Sequence, residues 1–271
     1  MAQQIKALVI TGFGTNCEIE MSYACRHAGA LSDIAHISDV LNGSVRLTEY
    51  HFLNLAGGFL DGDDLGSAQV ESVRIKYARI QTTGRTLFEE IKDFIERGMI
   101  ILGVCNGFQA LVKSGLLPGN PLGRRRVSLT FNDSAKFEDR WVRLAVDPTS
   151  PCIFTRGIDR LYLPVRHGEG KFVCESDGTL EEIRNHHLAA LRYADESYSP
   201  TMEYPFNPNG AVEAIAGICD ASGRIFGLMP HPEAFNHPAN HPSWTRLKAL
   251  PDKGDGMAIF ENAVGFLKGI V

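Results

Sequence analysis

The segment IILGVCNGFQAL, residues 100–111, reads as a buried strand running directly into a helix. Residues 99–104 form an unbroken apolar run, as expected for a strand covered on both faces. Cys105 stands at the join, with Gly103 two positions before it and Gly107 two after. That is the G-x-nucleophile-x-G spacing of a nucleophile elbow, a turn too tight for side chains at its flanks. A helix N-terminus stabilises a thiolate, and the N–H of Asn106 is placed to help hold an oxyanion. Taken alone, the pattern also fits a core cysteine between two incidental glycines.

Outward from this segment, short apolar runs alternate with helical stretches. Residues 7–10, 34–37 and 50–56 read as strands, and 18–28 reads as a helix stopped by Gly29. Within 86–97, Leu87, Ile91, Phe94 and Ile95 recur at helical spacing, and the helix after Cys105 runs to about Lys113. Strand–helix alternation predicts an α/β fold with a mainly parallel central sheet flanked by helices. From about residue 127 the runs at 141–146, 161–165, 171–174, 211–219 and 224–229 read as strands joined by turns, a partly antiparallel extension of the sheet. Residues 257–267 form a closing helix. No repeat, linker or low-complexity tract divides the chain, so one domain is expected over 1–271, a length that buries a sizeable core.

The net charge of -5, from 27 basic and 32 acidic residues, gives no sign of the concentrated positive surface of a nucleic-acid binder. Arg124-Arg125-Arg126 is the only basic run and reads as a solvated loop, or as one meeting an acidic partner surface. No stretch approaches transmembrane length, and the apolar run at 7–10 is too short for a signal peptide. A cytoplasmic, membrane-free protein is expected. Cysteines at 17, 25, 105, 152, 174 and 219 form no Cys-x-x-Cys pair. In a reducing compartment all but Cys105 read as small buried side chains.

A cysteine that forms an acyl-enzyme needs a histidine to move protons, usually one held by a carboxylate. Met229-Pro230-His231-Pro232-Glu233 follows a strand, and its prolines hold the backbone extended. Residues two apart then share a side, which sets Glu233 beside His231. The competing reading is a surface loop rich in His and Pro, since His237-Pro238 and His241-Pro242 follow. A zinc site from His231, His237 and His241 is conceivable but lacks cysteine partners, and no metal is expected. At 53–59, LNLAGGF is a strand ending in two glycines. The N–H of Gly58 or Phe59, with that of Asn106, is a candidate oxyanion hole.

Together these residues resemble the class I (triad) glutamine amidotransferases, over nearly the whole chain. GFGTNCE at 12–18 is similar to the family's opening loop, GGFLDGDDL at 57–65 to its oxyanion loop, and GVCNGFQAL at 103–111 to its nucleophile motif. Asn132 and Phe137 in an NxSxxF stretch, HGEGKF at 167–172, GICD at 217–220 and MPHPE at 229–233 extend the match, as do Asp255-Gly256 and FENAV at 260–264. The chain departs from the family at Asp61, where a tyrosine is usual, at Thr11–Phe13, which lacks a proline, and at Ala234-Phe235, where an arginine is common. Residues 180–204 form a longer segment than the family usually has.

The resemblance implies a three-layer, flavodoxin-like sheet, with Cys105 as nucleophile, His231 as base and Glu233 as its orienter. It implies Gln109 and Asn132 as contacts to glutamine. It further implies glutamine hydrolysis serving a purine synthase partner, with ATP and magnesium on that partner and no cofactor in this chain. Two other signals are set aside. Gly12-Phe13-Gly14 invites a dinucleotide-binding reading, but Cys17 holds the place of the third glycine. No G-x-x-x-x-G-K-[ST] phosphate loop is present. The competing functions are another cysteine-triad hydrolase, such as a γ-glutamyl hydrolase or peptidase, a diverged amidotransferase outside purine synthesis, and a non-catalytic regulatory subunit keeping the fold.

Overall fold

The computed structural model describes residues 4–271; the first three residues, where the N-terminal reading begins, lie outside the described residues. In chain order the elements are β1 (Lys6–Thr11), α1 (Glu18–His27), β2 (Leu31–His36), α2 (Ile37–Asn42), β3 (Phe52–Leu55), α3 (Gln69–Tyr77), α4 (Leu87–Glu96), β4 (Ile100–Val104) and α5 (Asn106–Ser114). There follow β5 (Val127–Thr130), β6 (Glu138–Val146), β7 (Arg160–His167), β8 (Lys171–Cys174), α6 (Asp177–Asn185), β9 (Leu191–Ala194), β10 (Ile215–Cys219), β11 (Ile225–Leu228) and α7 (Met257–Lys268).

Nine strands form one sheet in the order β2-β1-β3-β4-β11-β10-β9-β6-β7. The half from β2 to β11 is parallel, and the half from β11 to β7 is antiparallel. The mixed α/β sheet read from the sequence is therefore present, with the antiparallel part beginning where expected. Several segments depart from that reading: β5 and β9 arise where the sequence reading places no strand, and Val212–Ala214, read as strand, form a 3-10 turn before β10. Residues 171–174 do not extend the main sheet; β8 pairs with β5 in a separate two-stranded ribbon. Likewise the strand expected at 34–37 is β2, and Ile37 already opens α2, where the His36 ring accepts from the Ser38 N–H.

Every residue of β3, β4, β10 and β11 is buried, which requires layers on both faces of the sheet. One set of helices supplies α1, which lies on β1 and β2 and against α7; another joins α3 to α4 and α5, with α5 resting on β3, β4 and β11. The amphipathic stretch after Thr86 behaves as its spacing predicts: α4 buries Leu87, Ile91 and Phe94. Its start is fixed by a capping box, in which Thr86 Oγ1 accepts from the Glu89 N–H and the Glu89 carboxylate accepts from the Thr86 N–H.

This topology positions the site. β3, β4 and β11 are adjacent and parallel, with Leu55 opposite Gly103 and Leu228 opposite Val104. Their carboxyl ends are level, so the loops that follow them, carrying Gly57-Gly58, Cys105 and His231, leave the sheet at one edge.

Candidate active site

Cys105 occupies the turn between β4 and α5 with φ 51° and ψ -104°. A non-glycine residue there costs about 1–3 kcal/mol. The turn is held from both sides: the Cys105 N–H donates to the Leu228 carbonyl, and its carbonyl accepts the first bond of α5 from Gln109 N. The flanking glycines are required by close approach. A Cβ at Gly103 would lie 2.6 Å from the Gly107 carbonyl oxygen, and one at Gly107 would lie 2.0 Å from that of Leu55. The sulfur is buried and 3.6 Å from the Arg166 carbonyl.

His231 follows β11, and its N–H donates to the Pro164 carbonyl on β7 at 2.8 Å. Glu233 Oε1 lies 2.6 Å from His231 Nδ1. The predicted contact is present but arises differently: Pro232–Ala234 form a 3-10 turn, so a turn rather than extended alternation brings the carboxylate to the ring. Burial alone would discourage the imidazolium. The charges of Glu233 and Cys105, with hydrogen bonding to sulfur, outweigh it and hold the His231 pKa well above its ordinary value. Nε2 is buried without a well-formed hydrogen bond among the described residues, which leaves it for the Cys105 side. Cys105, His231 and Glu233 all line one cavity of about 670 Å³.

Two N–H groups of the expected oxyanion hole are available. Neither the Gly58 nor the Asn106 N–H meets an acceptor among the described residues. Phe59 does not fit that role: its N–H donates to the Gly14 carbonyl at 2.8 Å. The loop is tied to the nucleophile turn through Asn106, whose Oδ1 accepts from the Leu60 N–H at 3.1 Å. Asn106 Nδ2 donates to Gln109 Oε1, and Gln109 Nε2 donates to the Glu169 carbonyl at 2.7 Å. Gln109 therefore lines the cavity with both ends of its amide already bonded to protein.

Asn132 is not brought to the cavity lining, contrary to its expected role as a substrate contact. Its amide nitrogen donates to the Lys136 and His167 carbonyls, and its oxygen accepts from the Gly170 N–H and faces His167 Nδ1 at 3.2 Å. With all four hydrogen-bonding positions spent inside the protein, it serves as a clamp on the turn His167-Gly168-Glu169-Gly170.

That turn is a wall of the cavity, to which His167, Gly168 and Glu169 contribute. Because the Asn132 nitrogen is committed to carbonyls, His167 Nδ1 must carry the proton, leaving Nε2 an acceptor. Burial, aided by the nearby His231 charge, pulls the His167 pKa down to about 3, so the ring stays neutral. The Glu169 carboxylate accepts from the Ser67 N–H and sits 3.9 Å from Lys113 Nζ, which also bonds the Ser67 carbonyl. Sequence alone gives the HGEG motif no derivable role; this network supplies one.

Cys17, read as an inert core thiol, lines the cavity with its Sγ 3.8 Å from His231 Nδ1. Nothing in its sequence setting signals that. The other loop histidines stay apart from the triad in their bonding: His237 caps Ala239 N, and His241 accepts from Ser243 N. Among the described residues no helix is long and apolar enough to cross a membrane.

With this geometry in place, comparison with known proteins is direct. The CobB/CobQ-like glutamine amidotransferase domain matches residues 4–267. The chain is similar to phosphoribosylformylglycinamidine synthase subunit PurQ of Dehalococcoides mccartyi, with 45% identity over 98% of this chain and 99% of that one. It is similar to the same subunit of Methanococcus maripaludis, with 39% identity over 96% and 97% of the two chains. Among solved structures it resembles a chain of PurLQS from Thermotoga maritima, with 27% identity, a TM-score of 0.71, and coverage of 98% of this chain and all of that one.

Proposed function

The chain belongs to the CobB/CobQ-like glutamine amidotransferase family, and from that premise we propose that it is the glutaminase component of a phosphoribosylformylglycinamidine synthase. It releases ammonia from glutamine for purine biosynthesis and passes it to a synthase partner of the kind named PurL. The observation that carries the catalytic assignment is the buried 2.6 Å contact of Glu233 with His231 in the cavity that also holds Cys105.

The chemistry is set by the residues in place. The Cys105 thiolate, paired with the His231 imidazolium, attacks the side-chain amide carbon of glutamine. The N–H groups of Gly58 and Asn106 stabilise the tetrahedral oxyanion. As the C–N bond breaks, His231 Nε2 delivers its proton to nitrogen and ammonia leaves, giving a glutamyl thioester on Cys105. The neutral imidazole then takes a proton from water, whose oxygen attacks the thioester, and glutamate departs as the thiolate is restored. Glu233 keeps the ring oriented and stabilises its cationic form throughout. Glutamine and water become glutamate and ammonia.

ATP and magnesium belong to the amidination on the partner, and no cofactor is needed here. The reaction requires neither nucleic acid nor membrane, and it suits the cytoplasm, where glutamine and ATP meet. Phe59, Phe131 and Phe137 line the cavity yet are 43%, 69% and 54% exposed, an apolar rim suited to burial against the synthase.

The test is to incubate the chain and its synthase with glutamine and to measure glutamate and ammonia. Cys105→Ala should abolish glutamine-dependent synthesis and spare ammonia-dependent synthesis. Absence of glutamate release with or without partner overturns the proposal.

A further inference from the structure

The proposed chemistry leaves one thiol at the triad unused. Cys17 sits at the N-cap of α1, buried, with Sγ 3.8 Å from His231 Nδ1. Glu233 Oε1 is 2.6 Å from the same nitrogen. One ligand atom from each of Cys17, His231 and Glu233 lies within 4.8 Å of the others, and all three residues are buried. The second carboxylate oxygen, Glu233 Oε2, is buried with no partner among the described residues. The cluster opens onto the cavity, which gives a small ion a way in.

Thiolate, imidazole and carboxylate are a ligand set for a tetrahedral thiophilic cation. Zinc bond lengths with tetrahedral angles separate sulfur from nitrogen by about 3.6 Å and nitrogen from carboxylate oxygen by about 3.4 Å. The first spacing is already close to the observed 3.8 Å. The second needs the carboxylate to retreat by less than about 1 Å, a movement that also gives its unpartnered oxygen a ligand.

We propose that Cys17, His231 and Glu233 form a binding site for a thiophilic divalent cation, with Zn(II) as the type ion, whose occupancy silences the glutaminase. Binding displaces the Cys17 thiol proton and the His231 Nδ1 proton, and both go to solvent. The thiolate and carboxylate neutralise the two positive charges, and a water completes the coordination. No electron is transferred. With the cation on Nδ1, the ring loses its hydrogen bond to Glu233 and becomes a neutral imidazole that keeps its Nε2 proton. Giving that proton to the departing ammonia would leave an imidazolate, and no free lone pair remains to take a proton from water, so the ring serves as neither acid nor base.

The test uses Cd(II) as a spectroscopic probe on the full chain, reading thiolate-to-cadmium charge transfer in the ultraviolet, with Zn(II) as competitor. Wild type and Cys105→Ala should each show the band with one ion per chain, Zn(II) should bleach it, and a weakly buffered titration should register proton release. Cys17→Ser should lose the band, and its affinity should fall at least about tenfold, as expected for removal of a metal-site partner. His231→Gln should show the same tenfold weakening with the thiol still present, and far-ultraviolet circular dichroism checks the folding of both. In the synthase complex, Zn(II) should suppress glutamine-dependent but not ammonia-dependent synthesis.

A band that survives in Cys17→Ser overturns the site. So does a band lost in Cys105→Ala, which would put the ion on the nucleophile, and so does failure of wild type to bind. The last result would leave Cys17 as a thiol whose S–H serves only Asn16 Oδ1, 3.2 Å away. Because metal binding is read without glutamine turnover, its failure and that of the glutaminase assignment are separate results.

Discussion

Replacing Asn132 by alanine removes four hydrogen bonds at once, to the Lys136 and His167 carbonyls, the Gly170 N–H and His167 Nδ1. Lys136 is exposed, so its carbonyl is rehydrated; His167 and Gly170 are buried, so three of their groups are left without a partner. At about 1–3 kcal/mol for each stranded group, the loss lies between about 3 and 9 kcal/mol. Water entering from the adjacent cavity keeps it near the lower end, about 3–4 kcal/mol. Chemical denaturation of the chain measures this directly, and kcat and KM in the synthase complex measure the consequence for the HGEG wall. Asn132→Asp sharpens the test. It keeps the shape and the acceptor but sets a carboxylate against two carbonyls, so it should destabilise at least as much as alanine. A stability loss under about 1 kcal/mol with a selective rise in KM for glutamine would refute the clamp and restore Asn132 as a substrate contact.

Glu233→Gln should preserve the shape of the triad and lower kcat/KM for glutamine by about 10³–10⁴-fold, by analogy with removal of the orienting carboxylate from a serine triad. Its pH–rate profile checks the electrostatics: without the Glu233 charge the His231 pKa falls, and the alkaline limb should move to lower pH. Glu71, buried in α3 against Ile10, Ile75 and Ile91, has its pKa pushed up to about 8 by burial, with the charge of Asp61 adding to it. Between the ordinary carboxylate range and that value the folded state holds the proton more tightly than the unfolded chain, so stability declines as pH rises. Glu71→Gln should remove this decline, worth up to about 3 kcal/mol between roughly pH 5 and pH 8 in denaturation experiments; an unchanged slope would refute it. Gly107→Ala places a Cβ 2.0 Å from the Leu55 carbonyl oxygen, backbone that cannot turn aside. It should cost about 3 kcal/mol or more, seen as a lowered Tm and faster alkylation of a loosened Cys105.

The parallel half of the sheet is legible in the sequence because its signals are local. An apolar run, a glycine and an amphipathic helix declare β4 and α5 within fifteen residues, and the spacing of Leu87, Ile91 and Phe94 declares α4. Helix α3 is illegible for a local reason too: it begins at Ala68 in a left-handed conformation with no capping side chain, and its apolar residues form no stripe. The ribbon of β5 and β8 escapes the sequence reading because alternation identifies a strand but not its partner. Ser128 pairs with Val173 across the chain, and no pattern in either segment encodes that choice.

The site divides along the same line, between what one residue's neighbours in sequence require and what distant ones consume. Cys105 needs a turn that its own flanking glycines permit, and His231 receives its carboxylate from two positions away. Gln109 and Asn132 have the residue types of substrate contacts, yet their hydrogen bonds are spent on Glu169 and His167, 60 and 35 positions along the chain. Cys17 reaches His231 across 214 positions. Amides and thiols are chemically versatile, so their type leaves their employment undecided until folding fixes which partners are in reach. The triad escapes that ambiguity because a cysteine in a strained turn and a buried carboxylate on an imidazole each carry a cost that ordinary packing does not require.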